Sequence, residues 1–236
     1  MITVPRLINA LVVALIVGGI ALAYTGSHTL RWSPPPTPPK WAGRAHSPPR
    51  PAGWEADRAA DRLDPKDAAK HGYQMTPMTT SAPVSISIPK LKVRARVIAL
   101  GVTKAGAVEV PPLTHPFLTS WYDKGPTPGA PGAAVLFGHV DSAAVGPAVF
   151  YNLGELRPGD LIYITLKDKH TGIFKVYSAA LYQKADFPAL AIYSYTSWPS
   201  LRLVTCGGAF DAATGHYLGN TVVFAQYVGQ QAATAP

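Results

Sequence analysis

Two side chains have the types and settings that nucleophilic acyl transfer needs. Cys206, the only cysteine of the 236 residues, ends the apolar run Leu201–Thr205 and precedes two glycines. His139 likewise ends an apolar run, at residues 133–138, and opens a loop. A thiolate nucleophile needs an acid or base that is close in space, though not in sequence. The pair therefore suggests a cysteine enzyme, with an inert buried thiol as the alternative for Cys206.

A metal site is the other chemistry that these residues could support. A zinc site would combine Cys206 and His139 with Asp141 and His216, but the spacing typical of zinc ligands is missing. One cysteine also excludes an intramolecular disulfide and a site with several thiolates. No acidic cluster of the calcium-binding kind is present. We predict no metal and no other cofactor.

The segments around these residues predict an all-β domain. Period-2 alternation and short apolar runs between Gly/Pro turns are typical of strands. The expected strands are Val84–Ile88, Leu91–Val97, Ala133–Phe137, Leu161–Leu166, Ile173–Tyr182, Leu201–Thr205 and Thr221–Val228. Only Ala148–Leu156 suggests a helical turn. Many short strands of this kind favour a single closed or nearly closed β-barrel over residues 82–228, followed by a frayed tail at 229–236.

The N-terminus predicts a membrane anchor. Leu7–Tyr24 forms an apolar run of eighteen residues, just long enough to cross a bilayer as a helix. Arg6 precedes the run, so the positive-inside rule places the N-terminus in the cytoplasm and the domain outside. A cleaved signal peptide ending near Ala21–Ala23 is the alternative. Residues 1–24 are therefore assigned to the anchor or signal peptide.

Residues 25–81 predict a stalk. Eight prolines fall within the nineteen residues Ser33–Pro51, which favours an extended polyproline II spacer. A charged, alanine-rich stretch follows, and we predict a solvated stalk with no recognition role. The formal net charge of +8 suits an anionic surface such as a membrane or cell wall. Nucleic acid is not a predicted partner, because the basic residues form no patch with aromatic residues.

The motifs resemble those of sortases, the cysteine transpeptidases of Gram-positive cell surfaces. Leu203–Cys206 matches their L-x-T-C signature, and Phe137–Ser142 (FGHVDS) is similar to their catalytic-histidine segment. The blocks PGAPGAAVLFGHVDS, FYNLGELRPGD and TCGG, the last followed by GHY, extend the likeness over residues 83–228. Together they resemble the actinobacterial class F branch, with class E as the neighbouring alternative.

The resemblance implies an eight-stranded barrel and a two-step reaction. The Cys206 thiolate would attack an LPXTG-like sorting signal between Thr and Gly and form a thioacyl enzyme. His139 would protonate the leaving amine and then deprotonate the incoming one. The implied partners are surface proteins with sorting signals and the amine acceptor of the peptidoglycan precursor. The implied location is the cell membrane, with one pass and an extracytoplasmic catalytic domain.

The sequence departs from this family at one catalytic position. Sortases generally carry an arginine two residues before their final Val-Val strand, and this chain has Asn220 there. We assign the oxyanion-stabilising role to Asn220, with Arg202 as the alternative. The departure keeps a second hypothesis open, a domain that binds sorting signals with weak or no cleavage, and a structural wall-binding domain is a third. The predicted substrate contacts are Thr205, Tyr217, Leu190, Trp198 and Arg202.

Overall fold

The computed structural model describes residues 35–37, 73–74, 78–193, 196 and 198–231. The predicted anchor (1–24), most of the predicted stalk and residues 232–236 of the predicted tail lie outside these ranges. Within the described ranges, none of the helices has the length and apolar character needed to cross a bilayer.

The described chain is mostly β. Its strands are β1 (Tyr73–Gln74), β2 (Pro83–Ile88), β3 (Val93–Leu100), β4 (Thr119–Tyr122), β5 (Gly132–Gly138), β6 (Asp141–Ser142), β7 (Gly146–Pro147), β8 (Leu161–Leu166), β9 (Thr171–Gln183), β10 (Pro199–Asp211) and β11 (His216–Gln231). Helix α1 spans Ala189–Tyr193, and 3-10 turns span Pro89–Leu91, Leu153–Glu155 and Lys184–Asp186.

Eight of these strands close into a barrel. The order is β11-β10-β5-β4-β3-β2-β8-β9, and β9 pairs with β11 to complete the circle. The pairs β3–β4 and β5–β10 are parallel, and the other barrel pairs are antiparallel. Strand β1 adds to the end of β11 outside the circle. The predicted closed eight-stranded barrel is thus confirmed.

Alternation along the strands fills the barrel interior. In β8, Ile162, Ile164 and Leu166 are buried while the residues between them are partly exposed, as expected when one face of a strand meets a core. These side chains join an interior core with Ile86, Ile88, Leu136, Leu153, Leu156, Phe174, Leu201, Leu203 and Val223. Closure removes the free edges that an open sheet of this composition would expose.

A second apolar cluster lies on the other face of four barrel strands, and we call it the outer cluster. Its buried members are Val135, Phe137, Ala180, Tyr182, Ile192, Val204, Val222 and Phe224. Ile192 comes from α1, and Val108 and Val110 come from the connection between β3 and β4. Because outward-facing apolar residues need cover, these two segments pack against the outside of the barrel at this position.

Several element boundaries differ from the sequence prediction. Strand β4 was not predicted, and β3 begins at Val93 because the turn Pro89–Leu91 ends with Lys92 in the left-handed region (φ 54°). Strand β11 continues to Gln231, so the first three residues of the predicted frayed tail are paired. The predicted helical turn is limited to the 3-10 turn Leu153–Glu155. Part of the predicted stalk contacts the domain, since the backbone of Pro36 lies against Gly154.

Candidate active site

Cys206 lies in β10, at the point where this strand loses one of its two neighbours. Its antiparallel partner on β11 is Asn220, whereas pairing with β5 ends at Val204. The β10–β11 register then shifts between Gly207 and Phe210. Such irregularities bend a strand and redirect its side chains. The partly buried thiol therefore lies where β10 is still paired with β11 but no longer with β5.

His139 occupies the matching position on the neighbouring strand. Strands β5 and β10 are parallel, and Phe137 opposite Val204 is their last pair. Two residues further along each chain stand His139 and Cys206, which places both at the same level and on the face of the outer cluster. Neighbouring strands lie about 4.8 Å apart. The parallel register thus brings the predicted nucleophile and the predicted acid–base residue together.

Main-chain contacts hold His139 in place. Its Nε2 lies 2.6 Å from the carbonyl oxygen of Pro111, and its own carbonyl accepts a hydrogen bond from the Phe150 N–H at 2.9 Å. A carbonyl only accepts, so Nε2 carries the hydrogen of this bond and Nδ1 has the lone pair in the neutral ring. A Cβ on Gly138 would come within 2.6 Å of the Phe150 ring. Glycine before His139 therefore allows this tight packing.

Burial and two opposite charges act on the thiol. Burial raises the pKa of Cys206, the positive charge of Lys184 lowers it, and the negative charge of Asp141 raises it again. Lys184 follows directly after β9, two residues beyond Tyr182, which pairs with Asn220. Because burial is the largest of these effects, the thiol is mainly protonated at neutral pH. The nucleophilic thiolate then requires transfer of the proton to a nearby acceptor.

A hydrogen bond connects the loop after His139 with the strand after Cys206. The hydroxyl of Tyr217, near the start of β11, donates to Oδ2 of Asp141 in β6. Tyr217 is buried and also packs edge-to-face on Phe210, with ring centroids 5.1 Å apart. The predicted role of Tyr217 was to line the groove. Its hydroxyl donates to the carboxylate whose negative charge raises the pKa of the thiol.

Asn220 lies directly opposite Cys206 across the β10–β11 ladder. Directly opposed residues share a face of the sheet, so the amide and the thiol are neighbours. Asn220 is buried, and its Oδ1 has no hydrogen-bond partner among the described residues. A buried polar group of this kind is costly unless a partner is supplied. The side chain predicted to stabilise an oxyanion is therefore next to the nucleophile.

Arg202 shares the face of Cys206 but lies further down the strand. The register is regular between the two, and four residues of β-strand span about 13 Å. Its guanidinium stacks on Phe224, 4.8 Å from the ring centroid, and Nη1 donates to the Leu201 carbonyl at 3.2 Å. Phe224 is the direct cross-strand neighbour of Arg202. The guanidinium therefore makes its contacts beside its own position on β10 and not beside the Cys206 thiol.

The remaining predicted contacts lie at different places. Thr205 is buried and, one residue before Cys206, faces away from the outer cluster. Leu190, on α1, is 72% exposed and can contact a ligand. Trp198 is buried and directly precedes the first residue of β10, eight residues before Cys206. The structure therefore brings Cys206, His139 and Asn220 together but not Thr205 or Trp198.

The four side chains of the zinc alternative do not form a metal site. Within the described ranges, no three His, Cys, Asp or Glu residues are grouped as ligands would be.

Three groups near the thiol were absent from the sequence-based site. Asp141 was considered only as a zinc ligand, although its position two residues after His139 was a usable signal. Lys184 and the Pro111 carbonyl had no such signal, because they reach the site through strand pairing and a loop contact.

Comparison with known proteins identifies the family of the chain. A family model described as "Sortase domain" matches residues 86–228, more than half of the chain. No curated protein matches significantly. Sortase C-3 from Streptococcus pneumoniae matches with 18% identity and a TM-score of 0.50, covering 67% of this chain and 68% of that one. Sortase A from Listeria monocytogenes matches with 15% identity and a TM-score of 0.49, covering 65% and 92%.

The family match covers β5, β10 and both of the predicted residues, His139 and Cys206. Among the solved structures, the lid mutant of Corynebacterium diphtheriae sortase A also matches, with 19% identity, a TM-score of 0.48 and coverage of 64% and 72%. The chain belongs to the sortase family of cysteine transpeptidases.

Proposed function

We propose that this sortase is anchored in the cell membrane and joins surface proteins to the cell wall precursor. It cleaves an LPXTG-like sorting signal between Thr and Gly and transfers the new carboxyl end to an amine. The motifs of residues 83–228 favour the actinobacterial class F branch, with class E as the alternative. The observation that supports the proposal is the parallel β5–β10 register, whose last pair, Phe137 and Val204, lies two residues before His139 and Cys206.

The first half of the reaction is acylation. The Cys206 thiol gives its proton to His139, its sulfur bonds to the threonine carbonyl carbon, and the electron pair of the carbonyl moves onto oxygen. As this tetrahedral intermediate collapses, the C–N bond breaks and the glycine nitrogen takes a proton from His139. Since Nε2 is held by Pro111, Nδ1 is the nitrogen that exchanges this proton. The product is a thioester on Cys206 with the glycine end released.

The second half reverses the roles. An incoming primary amine attacks the thioester carbon and loses its proton to His139, after which the C–S bond breaks. A new amide bond replaces the thioester, and the starting thiol is restored. One imidazole acts as acid in the first half and as base in the second.

Asn220 is the proposed oxyanion donor. Its side-chain amide lies across the ladder from the thiol, where the carbonyl oxygen of an attacked substrate gains charge. Arg202 stacks on Phe224 and is the less suitable candidate. The exposed Leu190 on α1 is proposed to contact the apolar part of the sorting signal.

The direct test is peptide turnover by the full chain. Fluorogenic LPXTG-like and LAXTG-like peptides are incubated with and without an amine acceptor, and the acyl enzyme is sought by intact-mass spectrometry. We expect cleavage that depends on Cys206, an adduct on the thiol and an amide product when the amine is present. Cleavage that persists in the Cys206→Ala variant would contradict the proposal.

A second candidate is a sortase domain that binds sorting signals with weak or no cleavage. It is favoured by the absence of an arginine after Cys206 and by the stacked position of Arg202. The same peptides distinguish the two, because this candidate predicts saturable binding by fluorescence anisotropy without a thioester.

A further inference from the structure

The surface at Gly154, which we call the notch, contacts the proline-rich segment of the same chain at residues 35–37. Pro35, Pro36 and Thr37 are buried, half-buried and exposed, respectively. A Cβ placed on Gly154 would overlap the Pro36 carbonyl oxygen and would lie 2.8 Å from the Pro36 carbonyl carbon and 3.0 Å from the Thr37 carbonyl carbon. The three atoms nearest to that position all belong to the proline-rich segment.

Glycine is needed at position 154 because another chain segment lies close to it, and not because of its backbone conformation. The φ angle of Gly154 is not in the positive range, so an alanine would fit its backbone. The clash of an added methyl group is with Pro36, whose backbone approaches the glycine directly. Gly154 is thus a position where close approach of another chain segment requires the absence of a side chain.

The surface under the segment is rigid. Leu153 and Leu156 on either side of Gly154 are fully buried in the interior core. Nη1 of Arg157 donates to the carbonyls of Gly154, Glu155 and Leu156 at 3.3, 2.6 and 3.2 Å. Because buried leucines and the hydrogen bonds of Arg157 hold this turn, it cannot easily shift to make room for a bulkier residue at position 154.

We propose that the Gly154 notch is a docking site for the polyproline segment of the same chain, and that the segment is a strap rather than a free spacer. Proline-rich chains suit this role because they lose little conformational entropy on docking. Residues 73–74 provide a second attachment by pairing with the end of β11.

The strap shortens the tether between domain and membrane, and this consequence rests on the proposed anchor at residues 1–24. A free linker from Tyr24 to Ala82 could extend about 200 Å, whereas a chain docked at Pro35 could extend only about 40 Å. The strap would hold the active site near lipid-linked acceptors.

Crosslinking tests the docking without reference to activity. A full-length variant that carries Cys206→Ala, Thr37→Cys and Glu155→Cys is treated with a short bis-maleimide. Intramolecular products are then quantified by mass spectrometry. We expect several-fold more intramolecular product than in a control pair that combines Thr37→Cys with Lys104→Cys, a substitution of an exposed loop residue. Adding Gly154→Val should reduce the product to the control level. Product at the control level from the start, or product between chains only, would overturn the proposal.

A stability cycle provides the second test. Gly154→Ala should lower the Tm of the full chain by roughly 3–8 °C, because the added methyl group clashes with Pro36. The same change should be nearly neutral when residues 34–39 are deleted, because the backbone atoms that the methyl group would meet are then absent. Gly125→Ala is the matched control, since its nearest neighbours lie at an ordinary 3.4 Å. Equal effects of Gly154→Ala in both backgrounds would refute the strap, and peptide turnover tests the proposed function separately.

Discussion

The two faces of strand β10 are built from different kinds of residue. Leu201 and Leu203 point into the barrel and are fully buried in the interior core. Arg202, Val204 and Cys206 point the other way, towards the outer cluster. Successive residues of a strand face opposite sides, so one segment contributes to two environments. The inward side is mainly hydrocarbon, and the outward side includes a cation and a thiol.

This difference separates stability from chemistry. Apolar burial stabilises the inward face, whereas burying the Arg202 guanidinium and the Asn220 amide on the outward face carries a desolvation cost. Polar groups persist there because their neighbours partly compensate them, as Phe224 does for Arg202. Substitution of Leu203 on the inward face should therefore lower the free energy of unfolding. Substitution of Cys206 or Asn220 on the outward face should mainly change catalysis.

The largest expected effects contrast the two faces directly. Cys206→Ala should abolish turnover and the thioester, because no other thiol exists in the chain, while the free energy of unfolding changes little. Leu203→Ala should cost about 3 kcal/mol of stability by opening a core cavity. Urea unfolding measures the free energy of unfolding of both variants, and the peptide assay measures their turnover. A Leu203→Ala variant as stable as the wild type would contradict it.

The second comparison is along the outward face. Asn220→Ala should lower kcat about 10²–10³-fold, as expected for the loss of one oxyanion donor. Arg202→Met retains the length of the side chain and should leave kcat within about tenfold, since the guanidinium stacks on Phe224 away from the thiol. Steady-state kinetics on one peptide measures both. Full activity of Asn220→Ala would remove Asn220 from the mechanism.

The third comparison concerns the two charges near the thiol, and its effects should be several-fold. Lys184→Gln removes the charge that lowers the pKa of Cys206, so thiolate should form only at higher pH. Asp141→Asn removes the charge that raises this pKa, so thiolate should form at lower pH than in the wild type. Rates of iodoacetamide alkylation as a function of pH give both profiles. Shifts in the same direction would contradict the electrostatic assignment.

The smallest effect is expected from Tyr217→Phe. This change removes the hydroxyl that donates to Asp141 but retains the ring that packs on Phe210. The loss of one hydrogen bond to a charged group corresponds to about 1–3 kcal/mol, divided between folding and catalysis. A modest decrease in kcat with an altered pH profile would indicate a positioning role, whereas a change in KM alone would favour the groove-lining role.

Periodicity made most of the barrel predictable. The bounds predicted for β8 from the apolar run after a Pro/Gly turn are those of the structure, and burial alternates along this strand. Strand β4 was missed because Thr119, Ser120 and Trp121 are all buried, which removes the alternation, and two of them are polar. Helix α1 has five residues, too few for a helical period to be seen.

The candidate site was predictable in part. Cys206 and His139 were found because each ends an apolar run at a glycine and belongs to a motif, and the pairing of Asn220 with Cys206 agrees with its assigned position. Neither Lys184 nor the Pro111 carbonyl could be found in this way. Their contacts depend on which strands and loops become neighbours, and residue types do not encode that locally.

By itself, the sequence determined the barrel class, the one possible thiol nucleophile and the histidine most suited to serve it, because hydrophobic period and side-chain chemistry are local properties. The tertiary structure alone decided that β5 and β10 are parallel neighbours, that Arg202 stacks away from the thiol, and that Gly154 meets Pro36. These features join residues far apart in the chain, and barrel closure and side-chain packing select them together.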